Sequence, residues 1–166
     1  MTFALKSYPT TDLSDANPGK ARQVLLPFCD FGGKRMFAGR IRTAVTLEDT
    51  KLIQEELFTS QGNGGVIVLD GGGSLCTAML GDRMAERLIA NGWAGIVING
   101  AVRDSRQLAQ LDLGIKALGT TPVKSGKTGI GALDLPVAFG NALFEPGNCI
   151  YCDEDGVLIA DEPLNL

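Results

Sequence analysis

The residues with the most chemistry to offer are Asp82, Arg103 and Asp104, with twenty residues separating the first from the second. Gly81 breaks a helical pattern, and Asp82-Arg83-Met84-Ala85 can open a fresh helix. The free amides near residues 82 to 84 would then form an anion hole suited to a carboxylate. Arg103 follows an apolar run and can fork onto the same carboxylate or a neighbouring carbonyl oxygen. Asp104 could hold Mg2+ or Mn2+ directly or through water, and Asp82 could orient a water. Such a site would bind a 2-oxo acid by carboxylate and ketone together, stabilising the negative charge of an enolate. The bland alternative is a pair of exposed capping residues with a weak surface interaction. The residue types alone leave the two readings level.

The 166 residues contain no histidine. Ser-His-Asp, Cys-His and histidine–metal chemistry are therefore excluded, and any catalysis falls to carboxylates, Arg, Lys, backbone amides or a hard metal on oxygen ligands. Cys149 and Cys152 form a C-x-x-C in a strand-like run. Residues three apart in a strand face opposite ways, so these thiols read as small buried hydrophobes rather than a metal or redox pair. The run Gly71-Gly72-Gly73 fails the dinucleotide fingerprint, because Cys76 stands where its last glycine should be. Ser125-Gly126-Lys127-Thr128 resembles the end of a P-loop, but Thr121 replaces the first glycine and Pro122 removes an amide. A mobile basic loop or a turn pair is the better reading there, with Lys124 or Lys127 free to face an anionic partner. Asp153, Asp155 and Gly156 lack the further ligands of a calcium loop and read as a hairpin turn.

The elements that must position these groups centre on residues 64–104. An apolar run at 66–69 reads as a strand, the residues after Ser74 as a helical pattern, and a second apolar run at 95–98 as another strand. Both strands end in glycine and polar residues, where open α/β sheets place ligands. Before this unit, Thr11 or Asp12 caps a short helix that Pro18-Gly19 stops. The segment 23–31 is an irregular or edge strand, 37–47 a strand, and Glu48-Asp49-Thr50 the start of a helix. After it, the pattern predicts a short amphipathic helix closed by Gly114, a strand at 115–118 and a loop at 119–131 rich in Gly, Thr and Lys. A strand broken by Pro136 and a hairpin over 149–160 follow. Strands dominate the second half, which favours a mixed α/β domain with two sheets or a small barrel-like body over a doubly wound sheet.

With 45% apolar and 20% charged residues the chain is globular, and its length suits one domain over residues 1–166. A net charge of −4 with no basic run argues against direct nucleic-acid binding. The sequence has neither a membrane-length apolar stretch nor a signal-peptide core near its start, which makes the cytoplasm the expected location.

The order TTDLSDA, GG and GD, NGAVRD, LPVAFGN, PGN and DEDG is similar to the RraA-like family over nearly the whole chain. That family includes 4-hydroxy-4-methyl-2-oxoglutarate aldolases and the regulator of ribonuclease activity A. The resemblance implies a compact β-rich body of the swivelling β/β/α type flanked by helices. It also implies a divalent-metal-dependent aldolase with oxaloacetate decarboxylase activity. Gly81, Asp82, Arg83 and Met84 match the substrate-binding segment, Arg103 the substrate-contacting arginine and Asp104 the metal ligand; Asp82 and Arg103 would be catalytic. No Schiff base is needed, which suits a chain whose sequence shows no convincing buried lysine. The family further implies a homotrimer with the site between subunits. Longer aldolases add a C-terminal acidic residue to a neighbour's metal, whereas this chain ends at Leu166, before any counterpart. The alternative role is a protein that binds and inhibits an RNA-processing endonuclease of the ribonuclease E type. In regulator-like members the D-x20-R-D pattern tends to be lost; here it is intact.

Overall fold

The computed structural model describes residues 4–166; the first three residues of the N-terminal stretch considered above lie outside it. In chain order, helix α1 (Thr10–Ala16) precedes strands β1 (Arg22–Gln23), β2 (Cys29–Asp30) and β3 (Phe37–Val45). A π-helical turn (Ile53–Leu57) leads to β4 (Val66–Asp70), β5 (Ala78–Leu80), helix α2 (Asp82–Ala90), β6 (Gly95–Asn99), β7 (Ala101–Val102) and helix α3 (Ser105–Leu108). Then come β8 (Gly114–Ala117), β9 (Gly119–Thr120), β10 (Ala132–Leu133), β11 (Val137–Phe139), β12 (Ala142–Phe144), β13 (Cys149–Asp153) and β14 (Gly156–Ala160).

The main sheet runs β1-β14-β13-β3-β4-β6-β8-β2, with β10 also paired to β3. Its centre, β3-β4-β6-β8, is parallel, and the strands added at both edges are antiparallel. This is a mixed α/β architecture with a curled sheet flanked by helices, as the strand-rich second half led us to expect. One side chain shows how far the sheet curls. Strands β8 and β13 are separated by β6, β4 and β3, which in a flat sheet would set them roughly 19 Å apart. That is well beyond the reach of a lysine. Yet Lys116 Nζ, on β8, donates to the Asp153 carbonyl at the end of β13.

Alternation sorts the central strands onto two cores. Ile67, Leu69, Ile96, Ile98 and Ile115 face Leu57, Phe58, Leu80, Ala85 and Leu88, which the helical side contributes. Val66, Val68, Val97 and Ile41 face inward onto Phe144, Ile150 and Ile159. Helix α2 is held by Ala85 and Leu88 on its buried stripe, and a fully buried leucine of this kind contributes about 2 kcal/mol. Cys149 and Cys152 are both buried but lie in different clusters, on opposite faces of β13, as their spacing predicted.

Three local expectations need correcting. The residues after Ser74 do not continue as one helical pattern: 78–80 form β5 and the helix begins only at Asp82. Pairing of β5 with β7 overrides the local apolar spacing there. The helix after Asp104 is a four-residue turn, and Gly114 opens β8 instead of capping it. The expected absence of a buried lysine is also wrong. Lys116 is 2% exposed, with Asp30 Oδ1 3.0 Å away on the adjacent strand β2.

Candidate functional site

A second, small sheet of parallel strands β5-β7-β9 sits where β6 and β8 end, because β7 and β9 follow those strands almost directly in the chain. Its register pairs Leu80 with Val102. The Arg103 amide extends the ladder, donating to the Leu80 carbonyl at 2.9 Å. The next residues on each strand are therefore brought level, Gly81 beside Arg103 and Asp82 beside Asp104. The sequence spacing between the two acids is that register, continued beyond the strand ends.

From there the chain turns sharply. Asp104 has φ 58° and ψ 37°, a left-handed conformation that aspartate tolerates better than most side chains. The turn sends its carboxylate back to the start of α2. Asp104 Oδ2 accepts a hydrogen bond from the Asp82 amide at 3.2 Å and lies 3.7 Å from Arg103 Nε. The Arg83 amide donates to Asp82 Oδ1 at 2.7 Å, and the Ala85 amide begins the regular helical ladder on the Gly81 carbonyl. Two of the amides expected to be free at this helix start thus have carboxylate partners from the chain itself. The preference of a helix N-terminus for negative charge is met here by Asp104 and Asp82.

Arg103 and Asp104, with Ser105, Thr120, Thr121 and Pro122, line an open cavity of about 290 Å³. A larger cavity of about 610 Å³ lies among Arg40, Arg42, Trp93 and the glycines of the 62–65 turn, where β4 begins. Its arginines are already committed. Arg42 forks onto Asp134 and donates to Ser60, and Arg40 donates to the Gly147 carbonyl. The smaller cavity holds a carboxylate and a guanidinium with capacity to spare, so its chemistry outweighs its size.

The loop 119–131 borders this cavity and is firmly tied down, which rules out the mobile-loop alternative. Ala78 and Lys124 form a bridge, as do Asp49 and Gly126. Buried Asp49 accepts hydrogen bonds from the Thr128 amide, from Thr128 Oγ1 at 2.8 Å, and from the Gly129 and Lys51 amides, both at 3.1 Å. Burial pushes the Asp49 carboxyl up, but those donors outweigh it and hold the group at about 2. Lys127 Nζ donates to Thr50 Oγ1 at 3.1 Å, and Thr50 Oγ1 also meets Ser125 Oγ at 2.6 Å. Partial burial lowers the Lys127 ammonium below its ordinary pKa. Asp49 opposes that shift, while Lys124, Arg103 and Arg87 add to it. Lys127 thus feels the positive charge of Lys124, Arg103 and Arg87, a field that no local sequence signal announces.

The triple glycine serves the architecture. The Gly71 and Gly73 amides both donate to the Asn99 carbonyl at 3.0 Å, and Asn99 Nδ2 donates to Asp70 Oδ1. Among the described residues no three His, Cys, Asp or Glu side chains gather as a metal cage. The donor at hand is the half-buried Asp104 carboxylate, with Asp82 beside it. A hard oxygen ligand open to solvent fits an ion such as Mg2+, which keeps several waters and takes one or two carboxylates plus substrate oxygens.

Fold and site together define a small α/β protein with a charged cavity, lined by Arg103 and Asp104, beyond the carboxyl ends of its parallel strands. More particularly, the chain belongs to the RraA-like family: the family profile, described as Aldolase/RraA, matches residues 10–159. A protein of Azotobacter vinelandii, provisionally named a 4-hydroxy-4-methyl-2-oxoglutarate aldolase, is 45% identical over 159 residues, covering 96% of this chain and 98% of the relative. A Pseudomonas fluorescens protein of the same provisional name is 47% identical over 163 residues, covering 98% and 99%. Among solved structures, the RNA-processing inhibitor RraA from Thermus thermophilis superposes with a TM-score of 0.90 at 42% identity, covering 95% of each chain. A Geobacillus kaustophilus protein named S-adenosylmethionine:2-dimethylmenaquinone methyltransferase gives 0.89 at 43% identity, covering 93% of this chain and 96% of that one. Three different activities are attached to one fold, so the choice among them rests on the site.

Proposed function

We propose that this protein is a divalent-metal-dependent carbon–carbon lyase. It would cleave 4-hydroxy-4-methyl-2-oxoglutarate to two pyruvates and decarboxylate oxaloacetate, through the same pyruvate enolate. The observation that carries this reading is the convergence of Asp82, Arg103 and Asp104 on one helix start beside a small open cavity. The aldolase names of relatives that match it over almost their full length support it.

In this reading Asp104 holds Mg2+ or Mn2+, which when bound supplies Lewis-acid charge near the substrate ketone. Arg103 faces the ketone oxygen, where negative charge grows, through the guanidinium nitrogens that Asp104 does not engage. The segment 81–84 takes the substrate carboxylate through the amides that Asp104 and Asp82 do not already engage. As the bond between C3 and C4 breaks, its electron pair forms the enolate, with charge on the ketone oxygen, and the C4 hydroxyl passes its proton to the water oriented by Asp82. The water oriented by Asp82 returns a proton to C3, giving the second pyruvate. In oxaloacetate the same electron pair is released with loss of CO2, and the same protonation follows. Lys127 and Arg87 add positive charge suited to a doubly anionic substrate. Lys116 stands apart from this chemistry, pinned between Asp30 and the Asp153 carbonyl.

The proposed assembly is a homotrimer with the site at subunit boundaries. Leu47, Leu75 and Val123 are each more than half exposed. Leu75 lies by Gly119 and Val123 follows Pro122, both next to residues that line the cavity, so a neighbour there would cover apolar surface.

The test is pyruvate release from either substrate with Mg2+ or Mn2+, and again after EDTA. Release should depend on the metal; no release above buffer with any divalent metal defeats the proposal. The likeness to the Thermus RNA-processing inhibitor keeps a second reading in play, a surface that binds and inhibits an endonuclease without metal. Inhibition of such an enzyme by metal-free protein at micromolar concentration would favour it.

A further inference from the structure

Gly81 has a structural role that its backbone does not explain. Its φ of −131° and ψ of −178° are extended values open to any residue. The reason for glycine lies in what a side chain would meet. A Cβ at this position would stand 2.7 Å from Asp104 Oδ2 and 3.3 Å from Arg103 Nε. The first distance is closer than a carbon and a carboxylate oxygen can approach without displacement.

The backbone on either side is pinned. The Arg103 amide is bonded to the Leu80 carbonyl, the Ala85 amide to that of Gly81, and the Leu108 amide to that of Asp104. The part that can yield is the Asp104 carboxylate, by rotation about χ1. That rotation would break its bond from the Asp82 amide and carry it away from Arg103. We infer that Gly81 is a positioning residue: its missing Cβ is the space that seats the Asp104 carboxylate between Asp82 and Arg103. The part of this inference that concerns a cation rests on the function proposed above; the steric part does not.

Two measurements separate these parts. In the first, thermal unfolding is followed for wild type, Gly81→Ala, Asp104→Ala and the double variant, all without metal. Gly81→Ala should lower the melting temperature by about 2–4 °C. In the Asp104→Ala background it should cost nothing, because the obstructing carboxylate is gone. An equal loss in both backgrounds, including failure of both Gly81→Ala proteins to fold, would assign Gly81 to the backbone and overturn the inference.

In the second measurement, Mn2+ binding to wild type and Gly81→Ala is read by electron paramagnetic resonance of the free ion. Moving a ligand's support typically costs 10–100-fold in metal affinity, and a loss of at least about tenfold is expected here. Equal affinities would overturn the inference for the cation. Wild type that takes up no Mn2+ would instead defeat the proposed function, leaving the unfolding cycle to decide the role of Gly81.

Discussion

Replacing Asp49 by Asn tests how the loop over the site is held. The native carboxylate receives Lys51 N and Gly129 N on Oδ1, and Thr128 N and Thr128 Oγ1 on Oδ2. An asparagine can keep its oxygen toward the first pair. Its amide nitrogen then faces the Thr128 N–H, donor against donor, while the Thr128 hydroxyl can turn to accept. The variant therefore sets the part-buried Thr128 amide against another donor and weakens the remaining bonds by removing the charge. A hydrogen bond to a charged group is worth about 1.5–3 kcal/mol, and a stranded donor costs a similar amount, so a loss of about 2–4 kcal/mol is expected at pH 7. For a chain of this size that lowers the melting temperature by roughly 5–15 °C. The loss should also depend on pH in one direction. The folded carboxyl sits at about 2, below its unfolded value, so its contribution is fully present above the unfolded pKa of about 4. It fades as pH falls from there toward 2. Calorimetry or circular dichroism melts of wild type and Asp49→Asn at pH 7, 4 and 2.5 would show the two curves converging. A gap that is absent at pH 7, or that stays constant as pH falls, would refute the assignment of Asp49 as the charged anchor of this loop.

Lys116→Met should cost about 2–4 kcal/mol, because it leaves the largely buried Asp30 carboxylate with only the more distant Arg35, 3.7 Å away, as its cation. Adding Asp30→Asn should recover part of that, measured as a coupling in urea unfolding; additive losses would mean the two do not act as a pair. Among the four cysteines, Cys29 and Cys76 are exposed and should react with a thiol reagent in the native protein. Burial pushes the Cys149 and Cys152 thiols up, so both should react only after unfolding. Four fast equivalents would contradict the packing of β13.

What could be read from the sequence was whatever carried its own period. Strand β3, the paired apolar runs of β4 and β6, and the β13–β14 hairpin follow from alternation and turn residues, and they stand where the pattern put them. The run 75–80 was misread because its three-residue strand gains its partners from residues 101–102 and 124, which no local window contains. Nothing in the local pattern of 114–117 marks Lys116 as buried. Its burial comes from the curl of a sheet whose closing partner, Asp153, is 37 residues away. The site was legible in part. A break at Gly81 and a charged pair after a strand marked the right places, and the parallel register of β5 and β7 explains why that spacing brings them together. The role of Asp104 as partner of the Asp82 amide, and the approach of Lys127, depend on chain paths that only the folded structure supplies.

The most direct test of the account is the rate of pyruvate release by Arg103→Ala against wild type, under saturating Mg2+ or Mn2+ and with either 2-oxo acid. Arg103 is placed where charge develops in the transition state, so the account predicts a fall in kcat of about 10²–10³-fold or more in a variant that remains folded. A folded Arg103→Ala protein that releases pyruvate at the wild-type rate would contradict it.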